Sequence, residues 1–194
     1  MGAQGIVLSA GLSSRAGTFK MELPLGNMTM VEKTVEGMAE VCSKVFVVAG
    51  YQVARIERIF RAYPKVEVLY NKCYPDGMFS SIKEGIKHIS EDRFFIMPGD
   101  CPMVGSEVYK KMLEVQEGIV IPVFNGINGH PVLLADYHIK ELLYDTKYTS
   151  MQEFIINHSH KLVNVEDEGI LMDVDTIEDY RCVYRKLPGL RKSI

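Results

Sequence analysis

The sequence predicts an α/β protein, a mostly parallel sheet with helices on both faces. Three observations carry this reading. Short apolar runs rich in Val, Ile and Phe alternate with longer stretches whose apolar residues recur at helical spacing. The runs are continuous rather than alternating in polarity, as strands buried on both faces require. The first run, Ile6–Leu8, opens into a loop containing Gly11 and Gly17. Open α/β sheets gather their binding sites at the carboxyl ends of strands, where this loop would lie.

In chain order, strands are predicted at 6–8, 45–49, 66–69, 94–97 and 119–123. Helices are predicted between them, at 30–41, 53–60, 80–89 and 108–115. The first of these helices sets Val31, Val35, Met38 and Val41 on one face. The pattern changes after residue 118. The run Ile119–Val123 and the segment Pro131–Leu134 flank FNGINGH, whose Asn and Gly content predicts a hairpin-like excursion. Helices near 137–143 and 150–157, a strand at 162–165 and a terminal helix near 176–185 complete the chain. There is no internal repeat, low-complexity stretch or long linker, so residues 1–194 read as a single domain.

Composition narrows the function classes. The chain has 194 residues, enough for one well-buried domain. It is 47% hydrophobic and 24% charged, with a net charge of −3, which gives no basic surface for nucleic acid. No apolar run approaches the roughly 20 residues that span a bilayer. The N-terminus lacks a charged region followed by a long apolar segment, so the expected location is cytoplasmic. Cys42, Cys73, Cys101 and Cys182 form no C-x-x-C pair, which argues against a structural zinc site and for free thiols.

The chemistry concentrates in a few segments. In the first loop, Gly11 and Gly17 allow close approach of backbone N–H groups to phosphates, and Arg15 and Lys20 supply positive charge. The loop is not a Walker loop, because Thr18-Phe19-Lys20 follows Gly17. It also lacks the three-glycine dinucleotide spacing. On chemistry alone it is equally an ordinary turn with two solvated cations. Both cations are expected to be surface groups until a nucleotide arrives. In FIMPGDCP (95–102), a buried strand delivers Asp100 at its carboxyl end, to hold a divalent metal or to cap the next helix. In LMDVDTIEDY (171–180), Asp173 and Asp175 alternate and share one side of an extended chain, and Thr176 with Asp179 forms a capping box. Neither Asp100 nor Asp175 has a basic neighbour in sequence, so a metal is the expected counter-ion. Asn71, Gly77 and Ser81 fall in NKCYPDGMFSSIKEG, whose polar groups suit either base-edge hydrogen bonds or a capped surface loop. His130 precedes Pro131 in GHPVLL and is held extended. His158 and His160 are read as surface residues.

These segments together resemble the MobA/MocA-like nucleotidyltransferase superfamily. LSAGLSSRAGTFK is similar to its signature L-A-A-G-x-S-x-R-M-G-x-x-K, with Ser9 and Ala16 as departures, and Pro24-Leu25-Gly26 fits the continuation. GDCP resembles the family's G-D-x-P motif. DVDTIED resembles D-I-D-T-P-E-D, with Ile177 in place of proline. Asn71, Gly77, Met78, Ser81 and Gly85 match its base-recognition segment. GHPVLL resembles a motif of the molybdenum cofactor cytidylyltransferase branch.

The resemblance implies a Rossmann-like, three-layer α/β/α nucleotidyltransferase fold. It implies transfer of a nucleotide from a nucleoside triphosphate to a phosphate-bearing acceptor, with release of pyrophosphate. Arg15 and Lys20 would be catalytic. Leu8, Ala10, Gly11, Gly17, Lys20, Asn71, Gly77, Ser81 and Asp100 would bind nucleotide. Asp100 and Asp175, with Asp173 in reserve, would hold Mg²⁺, and Gly129 and His130 would contact the acceptor. Ala10 and GHPVLL favour CTP and molybdopterin, with a molybdenum hydroxylase as a receiver of the product. Two other functions stay open. One is a CTP- or GTP-dependent transferase acting on a sugar- or alcohol-phosphate. The other is a non-catalytic protein that carries the molybdenum cofactor, against which Arg15, Lys20 and both carboxylates argue.

Overall fold

A computed structural model describes residues 2–11 and 19–187. It has the predicted α/β architecture, a central sheet between two helical layers. The strands are β1 (Ala3–Ser9), β2 (Pro24–Leu25), β3 (Met28–Thr29), β4 (Lys44–Ala49), β5 (Val66–Tyr70), β6 (Arg93–Pro98), β7 (Ile119–Phe124), β8 (Ile127–Asn128), β9 (Val132–Ala135) and β10 (Lys161–Asn164). The helices are α1 (Met30–Val41), α2 (Val53–Phe60), α3 (Met78–Ile86), α4 (Ser106–Leu113), α5 (Ile139–Tyr144), α6 (Met151–Ile156) and α7 (Ile177–Lys186). No helix among the described residues is long and apolar enough to cross a membrane.

The main sheet runs β10-β7-β9-β6-β1-β4-β5, with β8 attached to β7. All pairings along it are parallel except those of β9, which is antiparallel to both β6 and β7. From β1 the chain steps outward to β4 and β5, then crosses back to β6 on the other side of β1. The carboxyl end of β1 is therefore the topological switch point, where such sheets open a crevice for ligands. The FNGINGH segment forms the expected tight hairpin. Asn125 and Gly126 both have positive φ, as the favoured two-residue turn requires, and Val123 pairs with Asn128.

Strand side chains alternate between the two layers. Val45, Val47 and Ala49 join the core beneath α1, α2 and α4, while Phe46 and Val48 join the core beneath α3, α5 and α6. A third cluster of Leu25, Met30, Val174 and Val183 seats α7 beside the β2–β3 pair. That contact brings the end of the chain back to the end of β6.

Helix starts have local causes. Thr29 accepts from the Glu32 N–H while the Glu32 carboxylate accepts from the Thr29 N–H, and α1 begins there as predicted. Helix α3 starts at Met78, two residues before the predicted position. Gly77 supplies the turn with φ of 94°, a conformation that side chains disfavour. Gly85 lets α3 lie close on the sheet, because a Cβ there would meet the Ile6 Cγ2 at 2.7 Å.

Gly85→Ala sets this clash against a helix-propensity gain of up to about 1 kcal/mol. Overpacking of a core costs typically about 1–3 kcal/mol. The expected result is a net loss of stability in urea unfolding, since Ile6 is fully buried. An unchanged or raised midpoint would show that α3 moves away without cost.

Candidate active site

The site begins at the switch point. Gly99 and the carboxyl end of β1 are in close contact, since the Gly99 N–H donates to the Leu8 carbonyl at 2.9 Å. A Cβ on Gly99 would lie 2.5 Å from the Ser9 Oγ and 2.8 Å from the Leu8 carbonyl oxygen, so glycine is required for this approach. The Thr34 hydroxyl of α1 donates to the Gly99 carbonyl at 2.9 Å and fixes the same corner from below. Asp100 is thereby delivered beside the end of β1.

Lys20 reaches the same point from a 3-10 turn, Lys20–Glu22. Arg55 of α2 pairs through two nitrogens with the Glu22 carboxylate, and its guanidinium lies over the Phe19 ring. The Lys20 Nζ donates to the Asp100 Oδ2 at 2.6 Å, to the Val174 carbonyl at 3.1 Å and to the Asp175 Oδ1 at 3.2 Å. The third segment is held independently, because the Val174 N–H donates to the Asp100 carbonyl at 2.9 Å and the Val174 side chain is buried. Asp179 accepts from the N–H groups of Asp175 and Thr176, completing the predicted capping box.

The structure thus brings Lys20, Asp100 and Asp175 together across about the full length of the chain. Two expectations are corrected here. Lys20 is not a surface cation, since its side chain is only 16% exposed and already engaged. Nor do the carboxylates lack a basic partner, because Lys20 is bonded to both. Asp175 follows no strand; it lies in a segment between a 3-10 turn and α7. Burial pushes the Lys20 ammonium toward a lower pKa. Hydrogen bonds and charge from Asp100, then Asp175, outweigh it and hold the pKa above the usual lysine value.

Oxygen donors that already share one cation suit a hard divalent ion. Asp100 and Asp175 could offer carboxylate oxygens to such an ion. Asp173 is exposed and immediately precedes Val174, near enough to bear electrostatically on His130 and Cys101.

The remaining predicted residues take distinct places. Ala10 is buried directly after β1, and Gly11 is exposed, with no atom of the described residues within 4 Å of where a Cβ would be. Arg15 and Gly17 lie outside the described residues. Asn71 and Ser81 are buried. The Asn71 amide donates to the Ser80 and Ser81 hydroxyls at 2.9 and 3.0 Å, and its carbonyl oxygen accepts from the Cys73 N–H. These groups hold the 71–78 loop onto α3, and Gly77 turns that loop. Gly129 packs on the Ile170 carbonyl, and the His130 N–H donates to the same carbonyl at 2.9 Å. The His130 Nδ1 is buried without a hydrogen-bond partner among the described residues. Burial lowers the pKa of its ring, with Asp100 and Asp173 opposing. The Cys101 thiol is buried, and its pKa is raised by burial and by Asp100.

Sequence reasoning missed a second cluster. His138, Glu141 and His158 converge at the opposite end of the sheet. His158 is not a plain surface residue, since its ring stacks on Phe154 and contacts Glu141.

Comparison with known proteins bears on the family and the fold. Residues 5–162 match the family model of the MobA-like NTP transferase domain. The chain is 27% identical to the molybdenum cofactor cytidylyltransferase of Escherichia coli K12, over 90% of this chain and 92% of that protein. It is 30% identical to a probable molybdenum cofactor guanylyltransferase of Bacillus mycoides, over 91% of this chain and 92% of that one. Among solved structures, Rv0371c of Mycobacterium tuberculosis superimposes with a TM-score of 0.81 at 22% identity, covering 95% of this chain and 98% of that one. Its complex with manganese superimposes with a TM-score of 0.76 at 18% identity, over the same shares of both chains.

The two carboxylates should differ in their cost to the fold. Asp100 is 18% exposed and Asp175 is 52% exposed. Asp100→Asn removes a partly buried charged hydrogen bond, with an expected loss of about 1–3 kcal/mol in urea unfolding. Asp175→Asn should cost under about 1 kcal/mol, as exposed pairs do. Equal losses would contradict this ranking.

Proposed function

The chain belongs to the MobA-like NTP transferase domain family, and on that premise we propose that it transfers CMP from CTP to molybdopterin, releasing pyrophosphate. The observation that carries this reading is the meeting of Lys20, Asp100 and Asp175 at the switch point beside the first loop. We further propose that residues 1–194 act as one nucleotidyltransferase domain.

In the proposed reaction, a phosphate oxygen of the acceptor attacks the α-phosphorus of the nucleotide. The new P–O bond forms as the bond to the β-phosphate oxygen breaks, and pyrophosphate leaves. The acceptor oxygen is already anionic, so no covalent enzyme intermediate is needed. Asp100 and Asp175 would hold Mg²⁺, which supplies neutralisation of charge on the phosphoryl oxygens. Lys20 exchanges its carboxylate partners for phosphate oxygens as the nucleotide arrives. Arg15 and the N–H groups around Gly11 and Gly17 add charge and donors there. Catalysis then rests on positioning and electrostatic stabilisation.

Asn71, Ser81 and Gly77 shape the wall against which the base lies, through the hydrogen bonds that fix the 71–78 loop. Leu8 and Ala10 form the floor at the end of β1. The Ala10 methyl narrows the slot toward a pyrimidine. Gly129 and His130 face the acceptor side, with a neutral imidazole able to hydrogen-bond to it. A second reading, GTP as the donor, is favoured by the relative named as a guanylyltransferase. A sugar- or alcohol-phosphate in place of molybdopterin leaves the same groups in the same roles.

Turnover of CTP with Mg²⁺ and molybdopterin, read as pyrophosphate release, tests the reaction. Lys20→Ala should lower it by about 10²–10³, the usual cost of losing one transition-state donor. Calorimetric titration tests the base. CTP should bind better than GTP, and Ala10→Gly should narrow the difference, since one methyl is worth only about 1–3 kcal/mol. A tenfold preference for GTP, about 1.4 kcal/mol, would overturn the cytidylyl reading and leave nucleotidyl transfer standing.

A further inference from the structure

At the other end of the sheet, three side chains from two segments point at one another. His138 follows β9 in a 3-10 turn, Glu141 lies on α5, and His158 follows α6. Ala135 at the end of β9 pairs with Arg93 at the start of β6, whereas Asp100 follows the end of β6. The cluster is therefore remote from the Lys20 site and has no part in the chemistry proposed there.

One ligand atom from each of the three residues lies within 4.8 Å of the others. The pair His158 Nε2 and Glu141 Oε2 is 3.0 Å apart. Two donors bonded to one zinc ion at about 2.0–2.2 Å sit roughly 3–3.5 Å apart in tetrahedral geometry. That pair already has nearly the required spacing, and a His138 ring nitrogen lies within 4.8 Å of both.

The surroundings favour a cation over a simple polar contact. The His158 Nδ1 lies 2.7 Å from the Phe154 carbonyl, which can only accept, so that nitrogen carries the hydrogen. Its Nε2 is then aimed at the carboxylate, the orientation that a backbone carbonyl gives to metal-bound histidines. The other Glu141 oxygen accepts from the Tyr148 hydroxyl at 3.2 Å and pairs with Lys147 at 3.3 Å, which leaves Oε2 for the shared point. His138 is 8% exposed. It is held edge-on by Phe154 and His158.

We propose that His138, Glu141 and His158 form a Zn²⁺ site that ties α5 to the segment between α6 and β10. Two imidazoles and one carboxylate suit zinc rather than Mg²⁺, and three protein ligands leave a fourth position for water.

Equilibrium dialysis of the intact protein against Zn²⁺, with excess Mg²⁺ to occupy the oxygen site, tests this. Wild type and Asp100→Asn should each retain one Zn²⁺ per chain. His158→Gln and Glu141→Gln should each bind it about tenfold or more weakly. Both substitutions are at half-buried positions, and circular dichroism should show the fold intact. Zn²⁺ should also raise the melting temperature of wild type and not of His158→Gln. No retained Zn²⁺ in wild type, or unchanged affinity in both variants, would overturn the proposal.

Discussion

The site depends on one ammonium group. Lys20 draws Asp100 and Asp175 to a single point from segments 80 and 155 residues away in sequence. In water such contacts contribute little, but this one lies in a corner closed by Gly99, Leu8 and Val174, where charge is less screened. Removing Lys20 would leave two carboxylates facing one another without their shared cation. The surrounding backbone is also held by its own bonds, Gly99 to Leu8 and Val174 to Asp100.

The sheet explains why these groups meet here. β1 is flanked by β4 and β6, and the crossing from β5 back to β6 opens the crevice at its carboxyl end. The loop after β1 and Asp100 after β6 enter this crevice from neighbouring strands. The 173–175 segment arrives differently. The cluster of Leu25, Met30, Val174 and Val183 carries it in with α7, so its position depends on packing rather than on strand order.

Much of this is legible in the sequence, for identifiable reasons. α1 and α2 lie at the residues that their apolar spacing indicates, since one has a capping box and both have one clear apolar face. Asn125-Gly126 marks its hairpin because few residues accept positive φ. Asp100 is visible because a buried run ends at Gly99. What could not be read is which polar groups satisfy one another. Lys20 reads as a solvated cation until the fold places two carboxylates against it. Asn71 reads as an open hydrogen-bonding group until Ser80, Ser81 and the Cys73 N–H are seen to engage it. His138 and His158 are twenty residues apart, and neither has a local spacing that signals the other. Period and turn chemistry are local properties, whereas pairing of charges and amides is set by tertiary structure.

The central claim is that the Lys20 ammonium occupies the position between Asp100 and Asp175 that a divalent cation would take. Mn²⁺ binding to wild type and to Lys20→Met without nucleotide, followed by electron paramagnetic resonance, tests it most directly. With the competing ammonium removed, Lys20→Met should bind Mn²⁺ at the Asp100-dependent site about tenfold or more tightly, roughly 1.4 kcal/mol. Equal or weaker binding would mean that Lys20 does not compete for these carboxylates, and the account of the site would fail.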